Sequence, residues 1–184
     1  MLIAAYSNGI FPMADGQGGE IGWYKPDPRA IIPLNRFVVS RSLAQTVSRQ
    51  VFEITVDSKF GDVIRLCADR PETWISDEII GTYEQLAEMG IAHSVECRIE
   101  NQLVGGLYGV SIGGAFFGES MFQTVTDASK VALVALVGRL RERGFLLLDA
   151  QYSTPHLEQF GVVEVPAREY DTLLKHAVRQ DIDW

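Results

Sequence analysis

Gly144-Phe145-Leu146-Leu147-Leu148-Asp149-Ala150-Gln151 reads as a central strand covered on both faces, because the run from Phe145 to Leu148 is apolar without alternation. The residues before it read as a helix from Asp127 to Arg143, with Val131, Leu133, Val134, Leu136, Val137 and Leu140 apolar. Asp127 in its first turn and Arg141 and Arg143 in its last suit the helix dipole, and Gly144 ends it. Further upstream, residues 92–100, 102–112 and 114–123 are strand-like and meet at Asn101-Gln102 and Gly113-Gly114. Such short joints predict an antiparallel meander. Downstream, Thr154-Pro155 opens a short helix that Gly161 closes, residues 162–165 read as a strand, and 168–180 as an amphipathic helix.

Ahead of the meander, Ile31 to Leu34 and Arg36 to Val39 suggest strands. Ser40 caps a helix over 41–49, Val51 to Asp57 alternates as a strand, and helices follow at about 59–68 and 77–89, the second capped by Ser76 and stopped by Gly90. The sum is an α+β domain over residues 29–184, a mixed sheet flanked by helices. Residues 1–28 read as a small irregular N-terminal lobe. Ala14 to Glu20 is polar and rich in glycine, a mobile loop, and Pro26 and Pro28 force an extended path after it.

With 184 residues the chain is expected to be one principal domain able to bury roughly 70% of its unfolded surface. Hydrophobic residues make up 47% and charged residues 22%, which excludes disordered and collagen-like classes. No apolar run reaches the roughly 20 residues of a membrane span, and Met1 to Tyr6 lacks the basic start of a signal peptide. Cys67 and Cys97 are isolated and read as small core residues, so a reducing cytoplasm is expected. Lys+Arg 16 against Asp+Glu 24 gives a net charge of -8, which argues against a broad nucleic-acid-coating surface but leaves room for a local basic patch. A cationic partner would be attracted.

Four places break local rules, and such breaks tend to mark function. Gly105-Gly106-Leu107-Tyr108-Gly109 puts three glycines in a strand, so a backbone or ligand approaches closely there or the strand bulges. Glu119 stands in the apolar Phe116 to Phe122 segment, and strand alternation puts it on one face with Met121. Asp149 and Gln151 share a face at the end of the buried strand, where a ligand crevice or loop capping is expected. Trp23, Tyr24 and Trp74 lie outside apolar runs and either stack on bases or cover a core edge. His93, His156 and His176 are read as structural, and no HExxH, Walker or GxSxG pattern is present. No metal and no covalent nucleophile are expected. That suits a transferase acting on an already activated donor.

Tyr6-Ser7-Asn8-Gly9-Ile10-Phe11-Pro12, Pro26-Asp27-Pro28-Arg29-Ala30, Thr73-Trp74-Ile75, Ala92-His93-Ser94-Val95-Glu96, Leu103 to Val110, Gly118-Glu119-Ser120-Met121-Phe122, Asp127-Ala128-Ser129-Lys130, Asp149-x-Gln151 and His156-Leu157 follow one another in this order. Together they resemble the leucyl/phenylalanyl-tRNA–protein transferase family over nearly the whole chain. The resemblance implies an acetyltransferase-like (GNAT-like) catalytic domain that moves Leu, Phe or sometimes Met from aminoacyl-tRNA to proteins with N-terminal Arg or Lys, marking them for N-end rule degradation. It implies no cofactor, no membrane and a monomer. By motif, Leu107, Phe116, Gly118, Glu119, Met121, Leu133 and Leu136 would line the side-chain pocket, with Glu119 holding the donor's α-ammonium. Asp149 and Gln151 would be catalytic, Gln151 accepting a hydrogen bond from the attacking amine and Asp149 orienting its amide. Trp74 would bind the terminal adenosine, whereas Met13 stands where many members carry a second Trp.

Two other classes compete. A CoA-dependent N-acetyltransferase needs a Gly-rich turn at a helix N-terminus, yet Gln123 to Lys130 holds no glycine and carries Asp127. A non-catalytic adaptor for N-terminal Arg would leave Asp149 and Gln151 without a task.

Overall fold

The computed structural model describes residues 1–16 and 18–184; Gln17, within the expected loop, lies outside the described residues. The lobe expected to be irregular holds a helix, α1 (Leu2–Tyr6), and a hairpin of β1 (Phe11–Ala14) and β2 (Ile21–Tyr24). Strand β3 (Arg29–Ile31) follows. Leu34 to Arg36 forms a 3-10 turn and residues 37–39 are not strand, so the two strands expected over 31–39 shorten to one. Pro33 is the cause, since it lacks the N–H a ladder needs and holds the entry to the turn.

Helix α2 (Arg41–Ser48) starts as expected, with the Ser40 hydroxyl accepting from the Leu43 N–H. Then come β4 (Glu53–Val56), α3 (Phe60–Ala68) and α4 (Asp77–Glu88), the last capped by the Ser76 hydroxyl. The meander is β5 (Ala92–Ile99), β6 (Gln102–Ile112) and β7 (Ala115–Gln123). Helix α5 (Ala128–Arg143) leads through left-handed Gly144 into β8 (Leu147–Gln151), followed by α6 (Pro155–Glu158), β9 (Val163–Val165) and α7 (Ala167–Ala177). Asp127 is not within the first turn of α5. It precedes the helix in a left-handed conformation and pairs with Lys130 at 2.9 Å.

Seven strands form one sheet in the order β4-β5-β6-β7-β8-β3-β9. All neighbours are antiparallel except β7 and β8. The α+β mixed sheet flanked by helices is therefore present. One side is covered by α2 and α5, the other by α1, α3, α4 and α7, giving two apolar clusters with the sheet between them. Tyr6 and Phe11 of the N-terminal lobe belong to the second cluster. Among the described residues no helix is long and apolar enough to cross a membrane.

The glycines of β6 serve backbone approach. A Cβ on Gly105 would lie 2.4 Å from the Ala128 Cβ, and one on Gly109 would lie 2.3 Å from the Phe117 carbonyl oxygen. Both positions therefore hold glycine so that α5 and β7 can close on the strand.

Two pairings place the site. The parallel β7–β8 ladder runs from Ala115/Leu147 to Phe117/Asp149 and stops, although both strands continue. A cleft opens there. In β6–β7, Tyr108 pairs with Ser120 and Gly109 with Gly118, so Glu119 is the extra residue of a bulge.

Candidate active site

The cleft widens into a cavity of about 440 Å³, within the size range of small-molecule sites. Leu107, Met121, Leu133, Leu136 and Leu148 form its apolar wall, and α6 closes it with His156 and Leu157. Gly118, Glu119, Asp149 and Trp74 also face it. Of the residues assigned to the pocket from the sequence, Phe116 is the exception. It is fully buried behind the wall and stacks on Trp184.

The bulge alters the expected geometry of Glu119. Its side chain turns to the side of Tyr6 and Tyr83, whereas Met121 packs in the α5 cluster. The two do not share a face, because one extra residue shifts the period of two. Glu119 Oε1 accepts from the Tyr6 hydroxyl at 2.7 Å and from Gln151 Nε2 at 2.8 Å, and the Tyr83 hydroxyl lies 3.4 Å from Oε2. Tyr6 and Tyr83 also bond each other. Burial, together with the nearby Asp149 charge, pushes the Glu119 carboxyl up to about 8 against the hydrogen bonds that favour its anion. Burial likewise raises both phenols, which stay neutral donors.

Asp149 and Gln151 do lie close together on one side of the sheet, but their division of labour differs from the expectation. Asp149 is fully buried and its carboxylate takes a bidentate grip from Arg29, Nε at 2.9 Å and Nη2 at 2.7 Å, plus the Tyr170 hydroxyl. Arg29 Nη1 donates to the Gly9 carbonyl at 3.0 Å, and its guanidinium lies between the Phe11 and Tyr170 rings, 4.7 Å from each. Burial disfavours this cation, yet the Asp149 bonds outweigh it and hold it protonated. Asp149 touches Gln151 only at the backbone, accepting the Gln151 N–H at 2.8 Å. It does not orient the side-chain amide. That task falls to Glu119, which fixes Nε2 and so directs the amide oxygen away from itself.

Arg29, Tyr6, Tyr83 and Tyr170 were not assigned to the site from the sequence. Arg29 stands in the Pro26 to Ala30 motif, but nothing in that motif points to its full burial. Trp74 lines the cavity and its carbonyl accepts from the Ala14 N–H at 3.1 Å, tying the N-terminal lobe to the cleft. Met13 packs in the same cluster.

At the start of α5, Gln123 Oε1 takes the Ser129 hydroxyl at 2.8 Å and sits 3.4 Å from the Ser129 N–H, with the Asp127–Lys130 pair beside it. The helix N-terminus that a nucleotide pyrophosphate would need is already occupied by acceptor groups. Among the described residues no cluster of His, Cys, Asp and Glu could hold a metal. Burial pushes the Cys67 and Cys97 thiols up to about 12, so neither is a thiolate at neutral pH.

The family model described as leucyl/phenylalanyl-tRNA protein transferase matches residues 31–175, and its N-terminal domain model matches residues 1–27. A leucyl/phenylalanyl-tRNA–protein transferase of Gloeobacter violaceus is 56% identical over 97% of this chain and 92% of its own. One of Salinibacter ruber is 53% identical over 100% of this chain and 81% of its own. Among solved structures, L-PGS from Bacillus licheniformis is similar in fold, with a TM-score of 0.52 at 12% identity over 96% of this chain and 69% of that one. Two matching domain models and relatives above half identity along nearly the full length establish that the chain belongs to the leucyl/phenylalanyl-tRNA protein transferase family.

Proposed function

We propose that the protein transfers Leu or Phe, and also Met, from the acceptor end of aminoacyl-tRNA to the α-amine of proteins beginning with Arg or Lys. It does so as a cytoplasmic monomer and marks its acceptors for N-end rule degradation. The observation that carries this reading is an apolar cavity lined in part by Glu119, whose Oε1 holds the Gln151 amide at 2.8 Å.

Leu107, Met121, Leu133 and Leu136 receive the donor side chain. Unbranched and γ-branched chains fit such a wall, and the flexible thioether of Met121 accommodates both Leu and Phe. Trp74 takes the terminal adenosine. Glu119, its carboxyl pushed up to about 8, accepts a hydrogen bond from the donor's α-amino group instead of pairing with it as a full anion.

The ester is already activated, so attack by an amine needs alignment above all. The acceptor α-amine titrates at about 7.7–8.0, so a useful fraction is neutral at cellular pH. Its N–H donates to Gln151 Oε1 while its lone pair adds to the ester carbon. The C–N bond forms, the C–O bond to the ribose breaks, and the amine proton passes to the departing ribose oxygen. Asp149 and Arg29 hold the strand end beneath this step, so Asp149 acts by positioning Gln151 through its backbone.

Incubation with labelled Leu-tRNA and an Arg-starting peptide tests the reading. Label should appear at the peptide N-terminus, and acetyl-CoA should give no acetylated product.

A further inference from the structure

The alternation of β8 ends at Gln151. It is a non-glycine residue with φ of 64°, a left-handed conformation found where the surroundings impose it. Successive strand side chains normally point to opposite faces. Here Gln151 and Tyr152 both turn to the side of the N-terminal lobe. Gln151 reaches Glu119, which Tyr6 holds, and the Tyr152 ring meets the buried Phe11 edge-on at 6.0 Å. Tyr24 packs on the same Phe11 at 6.3 Å with planes 28° apart. It is seated across Gly22, where a Cβ would come within 2.9 Å of its ring. Tyr24 and Tyr152 remain 41% and 43% exposed, so two partly open rings meet at Phe11, and one of them directly follows Gln151 in the chain.

We propose that Tyr152 and Tyr24 form the subsite for the cationic side chain of the acceptor's first residue. The proposal rests on the acyl-transfer reading above. An acceptor amine at Gln151 Oε1 brings its own side chain to Tyr152, the adjacent residue. The long apolar stem of Arg or Lys lies along the rings and its charged head over their faces. This aromatic set already accommodates a guanidinium from within, since Arg29 lies 4.7 Å over Phe11. The net charge of -8 draws cations to the chain, and Lys25, next to Tyr24, is neutralised by Asp171 at 2.9 Å.

The test is steady-state transfer of Leu from Leu-tRNA to peptides that differ only in their first residue, Arg or its neutral isostere citrulline. With the Tyr24→Leu, Tyr152→Leu double variant, the KM for the Arg peptide should rise about 5- to 30-fold, the range of a cation–aromatic contact. The kcat and the KM for Leu-tRNA should stay within about twofold, because donor pocket and Gln151 are untouched. The citrulline peptide should be a poor acceptor for the wild type and no poorer for the double variant. Tyr24→Phe, Tyr152→Phe should recover most of the Arg KM, since the ring faces persist. An unchanged Arg KM in the Leu variant overturns the proposal, as does an equal rise for both peptides. If the Leu variant fails to fold, the wild type still decides, because equal KM values for Arg and citrulline peptides overturn it. A wild type that transfers Leu to neither peptide would instead overturn the acyl-transfer reading.

Discussion

The Gln151 side-chain amide donates to Glu119 Oε1 at 2.8 Å, and this bond fixes which end of the amide faces Glu119 and leaves the oxygen turned from it. Removing the partner should therefore disable Gln151 without touching it. Glu119→Ala is expected to lower single-turnover transfer at least tenfold, in line with the roughly 2.7–4 kcal/mol of one transition-state hydrogen bond. Glu119→Gln keeps an acceptor for Tyr6 and Gln151 and should lose less. Equal losses in both variants would show that charge, not amide orientation, is what Glu119 supplies.

The same carboxyl gives stability a pH dependence. Its folded value of about 8 lies above the ordinary glutamate value of 4.5. Between those two pH values the folded state holds a proton that the unfolded state has lost. Stability from this group is thus full at low pH and declines as pH rises through that window, levelling off above about pH 8. Thermal melts from pH 5 to 8.5 should show wild-type Tm falling relative to Glu119→Gln. Parallel curves for the two proteins would contradict the raised value.

Arg29 and Asp149 are both fully buried, so losing one partner strands the other. Arg29→Ala should cost about 3–5 kcal/mol. For a chain of this size that corresponds to a Tm drop of roughly 6–20 °C by differential scanning calorimetry. A shift of only a degree or two would mean that water reaches Asp149.

Met121 shares its wall with Leu107, Leu133 and Leu136. Met121→Ala should enlarge the pocket and raise the use of Phe relative to Leu in competition between the two charged tRNAs. An unchanged ratio in folded protein would remove Met121 from the selecting surface.

With a net charge of -8, we expect the tRNA contact to be a small patch at the acceptor end. Each neutralised duplex phosphate adds about 0.9 to the salt slope, so a slope of roughly 2–4 is expected. An acceptor-stem mimic charged with Leu should then serve nearly as well as full tRNA. A slope near 8–10, or an inert mimic, would reveal a much wider interface.

Most helices and the meander were legible because their signals are local. Ser40 and Ser76 cap where expected, Gly144 terminates α5, and β5 to β7 keep their predicted bounds within a residue or two. Leu107, Met121, Leu133 and Leu136, grouped by motif order, do line one cavity. What failed were features created by distant partners. The bulge at Glu119 depends on the pairing of β7 with β6, and it moved Glu119 off the face of Met121. The Asp149–Arg29 pair joins residues 120 apart, and the Tyr6–Glu119 bond residues 113 apart. No spacing rule along the chain brings such residues together, so the sequence reading gave Asp149 the contact with the Gln151 amide that Glu119 makes.

The most direct measurement is single-turnover peptide-bond formation between Leu-tRNA and an Arg-starting peptide, comparing wild type with Gln151→Ala, alongside Leu-tRNA binding by filter retention. If Gln151 aligns the acceptor amine at the edge of the donor cavity, the rate falls at least tenfold while donor affinity persists. A near-wild-type rate in the Gln151→Ala protein, with Leu-tRNA bound normally, would contradict that placement of the chemistry.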